Sequence, residues 1–204
     1  MRGRFSTSRN ETLSFIQYLN LPKAFYLAIL RKYFKIYPKL PWIPFSAASK
    51  LNEIIKPNWI ILEIGAGTST LWLANRSKKV TSIEASKEWF DTLNSKIKSK
   101  KIGNIDLRFE WTAEKMSDFN EYPNNHFDLI YIDGGPRELC CINAIPKVKK
   151  GGYIYLDNSD SDVLSGKGAE ILQDYVNNPL NIEKFIDFVP GNFMINEGLL
   201  ARLV

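Results

Sequence analysis

Ile60-Ile61-Leu62-Glu63-Ile64-Gly65-Ala66-Gly67-Thr68-Ser69-Thr70 decides how this chain is read. The apolar run is short and bounded by Asn58 and Gly65, which suits a strand covered on both faces in a parallel sheet. A glycine-rich turn follows, and after it the first turn of a helix predicted over Ser69 to Ala74. Two glycines at alternate positions let the backbone turn tightly and approach a ligand closely. The helix N-terminus offers unpaired N–H groups to an electronegative ligand. The stretch therefore predicts a site for a nucleotide-like cofactor.

The residue types narrow the cofactor. A dinucleotide fingerprint wants a third glycine where this chain has Thr70, and it does not require an acid two residues before the first glycine. Here the pattern is Glu-x-Gly-x-Gly-x-Ser, with Glu63 at the strand end. A carboxylate there attracts an ammonium group, such as the amino-acid end of S-adenosylmethionine, more readily than a pyrophosphate. The next strand, Lys79-Val80-Thr81-Ser82-Ile83-Glu84, ends in an acid about twenty residues beyond the loop, the spacing at which an acid meets a ribose hydroxyl pair. Glu84, with Ala85 after it, thus fits an adenosine ribose; the plainer alternative is a solvated charge at a strand end.

Outward from the loop, strands and helices alternate, the pattern of an α/β fold with a doubly wound, mostly parallel sheet. Helices are predicted around Ser14–Leu19, Lys23–Ile36 and Ser46–Ile55, with a proline-marked linker, Pro38 to Pro44, before the third. A helix over Lys87–Lys100 follows the second strand. Ile105–Trp111 and Phe127–Ile132 read as the third and fourth strands, a helix spans Glu138–Lys147, and Tyr153–Leu156 is the fifth strand. Ala169–Asn177 reads as helix, and Glu183–Val189 with Met194–Val204 as a closing antiparallel hairpin. The expected division is a basic, helical N-terminal extension over 1–45 and one domain over 46–204.

A second constellation concerns chemistry. Asp133, ending the fourth strand, and Asp157-Asn158, ending the fifth, fall at the sheet edge where open α/β sheets bind ligands. Two carboxylates and an amide oxygen are hard ligands suited to Mg²⁺. The alternative is that Asp157-Asn158 caps the following loop while Asp133 only orients the cofactor loop.

With both constellations in hand, the glycine loop resembles motif I of the class I S-adenosylmethionine-dependent methyltransferases. Asp133 with Asp157-Asn158 looks like the metal site of the catechol-type O-methyltransferases. The longer pattern, Glu63-x-Gly-x-Gly-x-Ser-Thr70-x-Trp72 with Ile132-Asp133-Gly134-x-x-Arg137 and Leu156-Asp157-Asn158-Ser159-Asp160, is closer to the type 24 methyltransferase group, which it resembles over roughly residues 40–160. The resemblance implies a Rossmann-like methyltransferase fold with N-terminal helices. It implies cofactor contacts from Glu63, Gly65, Ala66, Gly67, Ser69, Thr70, Glu84, Ala85 and Asp133, and adenine contacts from Thr112 and Ala113 beside Trp111. Asp133, Asp157 and Asn158 take the metal places, and Asp133, Asp157 and Arg137 the catalytic ones. Where catechol-type enzymes carry a lysine, this chain has Arg137, which stays protonated and suits a carboxylate or phosphate better than a base's task. The implied reaction is O-methylation of a small or glycan- or lipid-linked acceptor. Two alternatives stay open: a non-catalytic, membrane-peripheral binding domain of the same fold, and a nicotinamide-type oxidoreductase.

Composition sets the outer bounds. The 204 residues, 45% hydrophobic, supply a core for one α/β unit. No apolar run is long enough to span a membrane and no secretory h-region opens the chain. Cys140 and Cys141 are adjacent and lack metal-ligand spacing, which predicts reduced thiols and a cytoplasmic setting. The net charge of +5 divides into +8 over residues 1–58 and −3 over the rest. Residues 23–36 mix aromatics and bases at helical spacing, so a peripheral contact with an anionic membrane is one reading. The favoured one is an apolar stripe packed inward with lysines facing water. Nucleic acid is not predicted, since no recognition motif accompanies the charge. His126 reads as a surface loop residue, and Trp42 and Phe45 either close the pocket or pack.

Overall fold

The computed structural model describes residues 4–204. Three helices come first, α1 (Phe15–Tyr18), α2 (Leu21–Phe34) and α3 (Phe45–Ile54). Strand and helix then alternate: β1 (Ile60–Ile64), α4 (Thr68–Ala74), β2 (Lys79–Glu84), α5 (Lys87–Ser99), β3 (Ile105–Phe109) and α6 (Ala113–Ser117). The second half runs β4 (Phe127–Ile132), α7 (Arg137–Ala144), β5 (Val148–Asp157), α8 (Asp162–Ser165), α9 (Gly168–Val176), β6 (Ile182–Phe188) and β7 (Ile195–Arg202).

The seven strands lie in the order β3-β2-β1-β4-β5-β7-β6. Five are parallel; β7 pairs antiparallel with both β5 and β6. The chain winds outward from β1 to β3 and then restarts on the other side of β1 with β4. The reversal leaves a crevice at the carboxyl ends of β1 and β4, the place where such sheets bind ligands.

Strand periodicity divides the core into two layers. Leu62, Ile64, Ile130 and Ile132 face one way, against Cys140, Cys141 and Leu172 of α7 and α9. Ile61, Leu129 and Tyr131 face the other way, against Ala47 and Leu51 of α3 and Trp72 and Leu73 of α4. Each large side chain enclosed this way contributes about 1.5–3 kcal/mol. The central strands read as continuous apolar runs because both of their faces are covered.

The doubly wound sheet, the N-terminal helices and the closing hairpin match expectation. Two short helices, α6 and α8, were not foreseen. β5 starts at Val148 rather than Tyr153: its pairing with β4 jumps from Phe127↔Val148 to Leu129↔Tyr153. Gly151, at φ +75°, sits inside that irregularity. α7 ends early because Pro146 allows only a single 3₁₀ turn over Ile145–Lys147.

The N-terminal helices are seated on the end of the hairpin. Leu13, Ala24 and Phe45 form a small cluster with Phe188 and Ile195. Asp187 accepts hydrogen bonds from Asn20 Nδ2 at 3.0 Å and from the Ser46 N–H at 3.0 Å. The inward apolar face of α2 is narrow: Ala24 is its one buried residue, with Leu21 and Leu27 partly buried against the same cluster. No helix among the described residues is long and apolar enough to cross a membrane.

Candidate active site

The β1–α4 loop builds the floor of the crevice. Gly65 has φ +91°, and a Cβ there would lie 2.8 Å from the Gly134 N atom. The loops after β1 and β4 thus touch backbone to backbone, and only glycine permits it. Hydrogen bonds from Gly65 N to Ile83 O and from Asp133 N to Ile64 O, each 2.9 Å, fix their relative height. Gly67 is different. Its φ of −178° is ordinary extended backbone, and a Cβ would meet nothing closer than Ser69 Oγ at 4.0 Å. Its missing side chain leaves room for a ligand rather than serving the turn.

A cavity of about 270 Å³ opens above this floor, lined by residues 65–69, Glu84, Asp133 and Gly134, with Trp42 and Trp89 at its rim. Glu84 is nearly buried, and one of its oxygens accepts from Ser86 N at 2.7 Å. Thr112 and Ala113 begin α6 at the same sheet edge, next to Glu84 because Glu110 N donates to Glu84 O at 3.0 Å. They and the exposed Ala85 are not in the cavity wall.

Glu63 and Thr70 lie behind the loop, fully buried. Glu63 Oε2 accepts from Thr70 Oγ1 at 2.6 Å and from Ser82 Oγ at 2.5 Å, and Thr70 Oγ1 accepts from Gly67 N at 2.9 Å. This chain of hydroxyls pins the loop to β1 and β2. Burial pushes the Glu63 carboxyl up to about 7, although the hydroxyls of Ser69, Ser82 and Thr70 pull it back. Its Oε1 is buried with no hydrogen-bond partner among the described residues.

The ends of β4 and β5 are joined by one guanidinium. Arg137 Nη1 donates to Asp157 O at 2.5 Å and to Asn158 Oδ1 at 3.0 Å. Its Nη2 donates to Asp133 O at 2.6 Å and to Asp133 Oδ1 at 3.1 Å. Asp157, buried behind Asp133, also accepts from Tyr155 Oη at 3.2 Å. Burial raises the pKa of both aspartates; the Asp133 charge raises Asp157 further, and Arg137 opposes the rise at each. The rise is the larger at Asp157, the more deeply buried of the two, and Asp133 is the one that faces the cavity.

Comparison with known proteins agrees with this architecture. Residues 62–159 match the sequence model of a methyltransferase-domain family, the type 24 group. That stretch, just under half of the chain, reads as a methyltransferase domain. A search of curated proteins finds no match. Among solved structures, an O-methyltransferase from Bacillus cereus in complex with S-adenosylhomocysteine aligns with TM-score 0.60 and 18% identity over 91% of each chain. TomG, an O-methyltransferase from Streptomyces achromogenes in complex with S-adenosylmethionine, aligns at 0.61 and 16% over 90% of this chain and 89% of its own. An rRNA methylase from Streptococcus thermophilus aligns at 0.56 and 16% over 78% and 95%. The fold is common to all three. The family match leaves the nicotinamide alternative without support.

Two expectations about the methyltransferase domain are corrected by the geometry. The metal set Asp133, Asp157 and Asn158 does not fit an ion, because the Oδ1 atoms of Asn158 and Asp133 already face Arg137. Among the described residues no three His, Cys, Asp or Glu side chains group as a metal site. Arg137 is also unsuited to binding an acceptor's carboxylate or phosphate: it is 8% exposed and spends its fork on Asp133, Asp157 and Asn158.

Other residues sort readily. His126 stacks on Tyr122 and meets the edge of Phe127, away from the cavity. Trp111 is 72% exposed, so it is no core residue. Phe45 packs in the N-terminal cluster while Trp42 lines the cavity, its Nε1 buried without a hydrogen-bond partner among the described residues. Both cysteines are free and buried. Sequence reasoning missed Gly134 and Trp89. The Gly134-Gly135 pair after a strand was visible as a close-approach signal, whereas Trp89 was legible only as a first-turn residue of the helix after Glu84.

Proposed function

We propose that the domain transfers a methyl group to a hydroxyl oxygen, with Asp133 as the base and Glu84 as the ribose ligand. The observation that carries this reading is the cavity, where a glycine loop with open backbone, a nearly buried carboxylate at the end of β2 and Asp133 meet in one wall. The residues fit the cofactor: Gly67 leaves open space above the loop, and Glu84 and Asp133 turn carboxylates to the same cavity.

When bound, S-adenosylmethionine supplies an activated methyl group, so the protein's task is alignment and proton removal. Gly65, Ala66, Gly67 and Ser69 hold the methionine portion, with Glu63 and Thr70 fixing the loop from behind. Glu84, flanked by Ala85, accepts from the ribose hydroxyls, and Thr112 and Ala113 border the adenine. Asp133 faces the acceptor and takes its proton as the oxygen attacks; its raised pKa suits a base near neutral pH. Asp157 and Arg137 act through Asp133 as positioning residues. The Bacillus cereus and Streptomyces achromogenes neighbours are O-methyltransferases, which supports oxygen as the acceptor atom.

The cavity is smaller than the ~300–1,000 Å³ of ordinary ligand sites, so the acceptor is met at the rim by Trp42 and Trp89. In this reading residues 46–204 carry the reaction and residues 1–45 set where the acceptor is met. A small hydroxylated acceptor, glycan- or lipid-linked, suits an open rim under a basic extension. The test is calorimetry of S-adenosylhomocysteine binding to the wild type and to Glu84→Ala. Micromolar binding, weakened at least about tenfold by loss of the charge-assisted ribose contact, is expected. A folded wild type that binds no S-adenosylhomocysteine overturns the assignment.

A further inference from the structure

Ten of the twenty exposed large apolar side chains among the described residues fall between Phe15 and Tyr37. So strong a concentration in one ninth of the chain is not the scatter of an ordinary surface. It has a helical order. At 100° per residue, Tyr26, Ile29, Leu30 and Tyr33 form an i, i+3, i+4, i+7 stripe along α2. Ala24 and Arg31, seven residues apart, lie on the opposite side and face the protein. Ala24 is fully buried, while Arg31 bonds to Asn192 and stands 4.3 Å from the Trp42 ring centroid. The stripe therefore points outward: Tyr26 is 60% and Tyr33 68% exposed, with Ile29 and Leu30 half-buried between them. Phe15, Ile16 and Leu19 of the α1 segment extend it, each at least 70% exposed.

Charge selects the occupant. From residue 12 to residue 52 the chain has six bases and no acid. Lys32, Lys35 and Lys39 are exposed and, among the described residues, enter no ion pair. A second copy of this face would set like charges against each other with no acid to offset them. An anionic lipid surface satisfies both features at once. Tyrosines and phenylalanines settle at headgroup depth, aliphatic side chains reach the acyl boundary, and lysines meet the phosphates.

We infer that α1 and α2 dock the protein on an anionic membrane surface through the Tyr26–Ile29–Leu30–Tyr33 stripe and its flanking lysines. The docking goes beyond methyl transfer and does not depend on it. It leaves Trp42 one helix diameter, ~10 Å, beneath the lipid-facing stripe, because Arg31, on the protein-facing side of α2, lies over Trp42 and Tyr37 stacks on Trp42 with centroids 6.5 Å apart.

Co-sedimentation of the full chain with phosphatidylcholine vesicles, with and without phosphatidylglycerol, tests the inference. The wild type should pellet with the anionic vesicles and stay in solution with the neutral ones, and added salt should release it. Lys32→Glu with Lys35→Glu should weaken vesicle binding about tenfold or more. The triple variant Tyr26→Ser, Ile29→Ser, Tyr33→Ser should abolish it while leaving the circular dichroism spectrum and S-adenosylhomocysteine affinity unchanged. Wild type that ignores anionic vesicles, or a triple variant that binds them equally well, overturns the inference. So does a stable wild-type dimer in sedimentation velocity that the triple variant dissociates. Loss of S-adenosylhomocysteine binding with vesicle binding intact would count against the methyl-transfer reading alone.

Discussion

Glu63 shows how one side chain can be legible in type and opaque in depth. Its place two residues before the first glycine marks the motif, but only the fold shows it enclosed, with Oε2 held by the hydroxyls of Thr70 and Ser82. Its carboxyl rises from an ordinary 4.5 to about 7, chiefly through burial. The folded chain therefore binds this proton more tightly than the unfolded chain does. The associated stability is complete below pH 4.5 and drains away as pH climbs through about 7. The loss comes to roughly 3 kcal/mol at about 1.4 kcal/mol per pKa unit. Glu63→Gln keeps an oxygen for Thr70 and Ser82 but cannot ionise, so it should be more stable than wild type at pH 8 by about 2 kcal/mol and nearly equal at pH 5. Urea unfolding at the two pH values measures this. A residual slope is expected from Asp133 and Asp157, whose shifts have the same sign. Identical slopes in the two proteins would mean that Glu63 is ionised in the fold.

Between elements, the decisive contact joins the ends of β4 and β5. The strands and their terminal acids were readable from apolar runs and turn residues, because parallel strands covered on both faces leave that pattern. Arg137 was not readable in the same way: a sequence shows that a residue is charged, not that a neighbouring strand will surround it. Here its four hydrogen bonds put a fixed cation between groups that would otherwise suit a metal. Gly67 gives a related lesson, since its spacing suggested a turn while its backbone is extended. Replacing Arg137 by Gln leaves the Asp133 carboxylate, the Asn158 amide oxygen and the carbonyls of Asp133 and Asp157 under-satisfied, at a cost of about 3–5 kcal/mol. Arg137→Lys should recover less than half of that, because an ammonium cannot reproduce the planar fork. The Gln variant, its acidic oxygens released, should also gain Mn²⁺ affinity over wild type, visible as loss of the free-ion electron paramagnetic resonance signal. A lysine variant as stable as wild type would show that charge alone, not the fork, ties the strands.

At the scale of the molecule, the question is how independent the N-terminal segment is. Its charge made it look like an extension, and the break in composition near residue 45 suggested a boundary. The hydrogen bonds run across that boundary. Asp187, 1% exposed on β6, accepts from Asn20 in the N-terminal segment, from Ser46 at the start of α3 and from its own neighbour Phe188. Nothing local in the sequence announces a contact between positions so far apart, which is why the hairpin was foreseen but its cargo was not. If residues 1–45 are a separable layer held mainly here, Asp187→Ala should cost about 2–3 kcal/mol, as expected when buried donors lose a charged acceptor. The loss should be regional: amide exchange should quicken across residues 14–46 while β1, β4 and β5 keep their protection. Because that layer reaches the cavity only through Trp42 and the Arg31 that covers it, S-adenosylhomocysteine affinity should fall only a few-fold. Uniform acceleration of exchange throughout the sheet would instead make the extension part of one cooperative fold, with Asp187 as one of its internal ties.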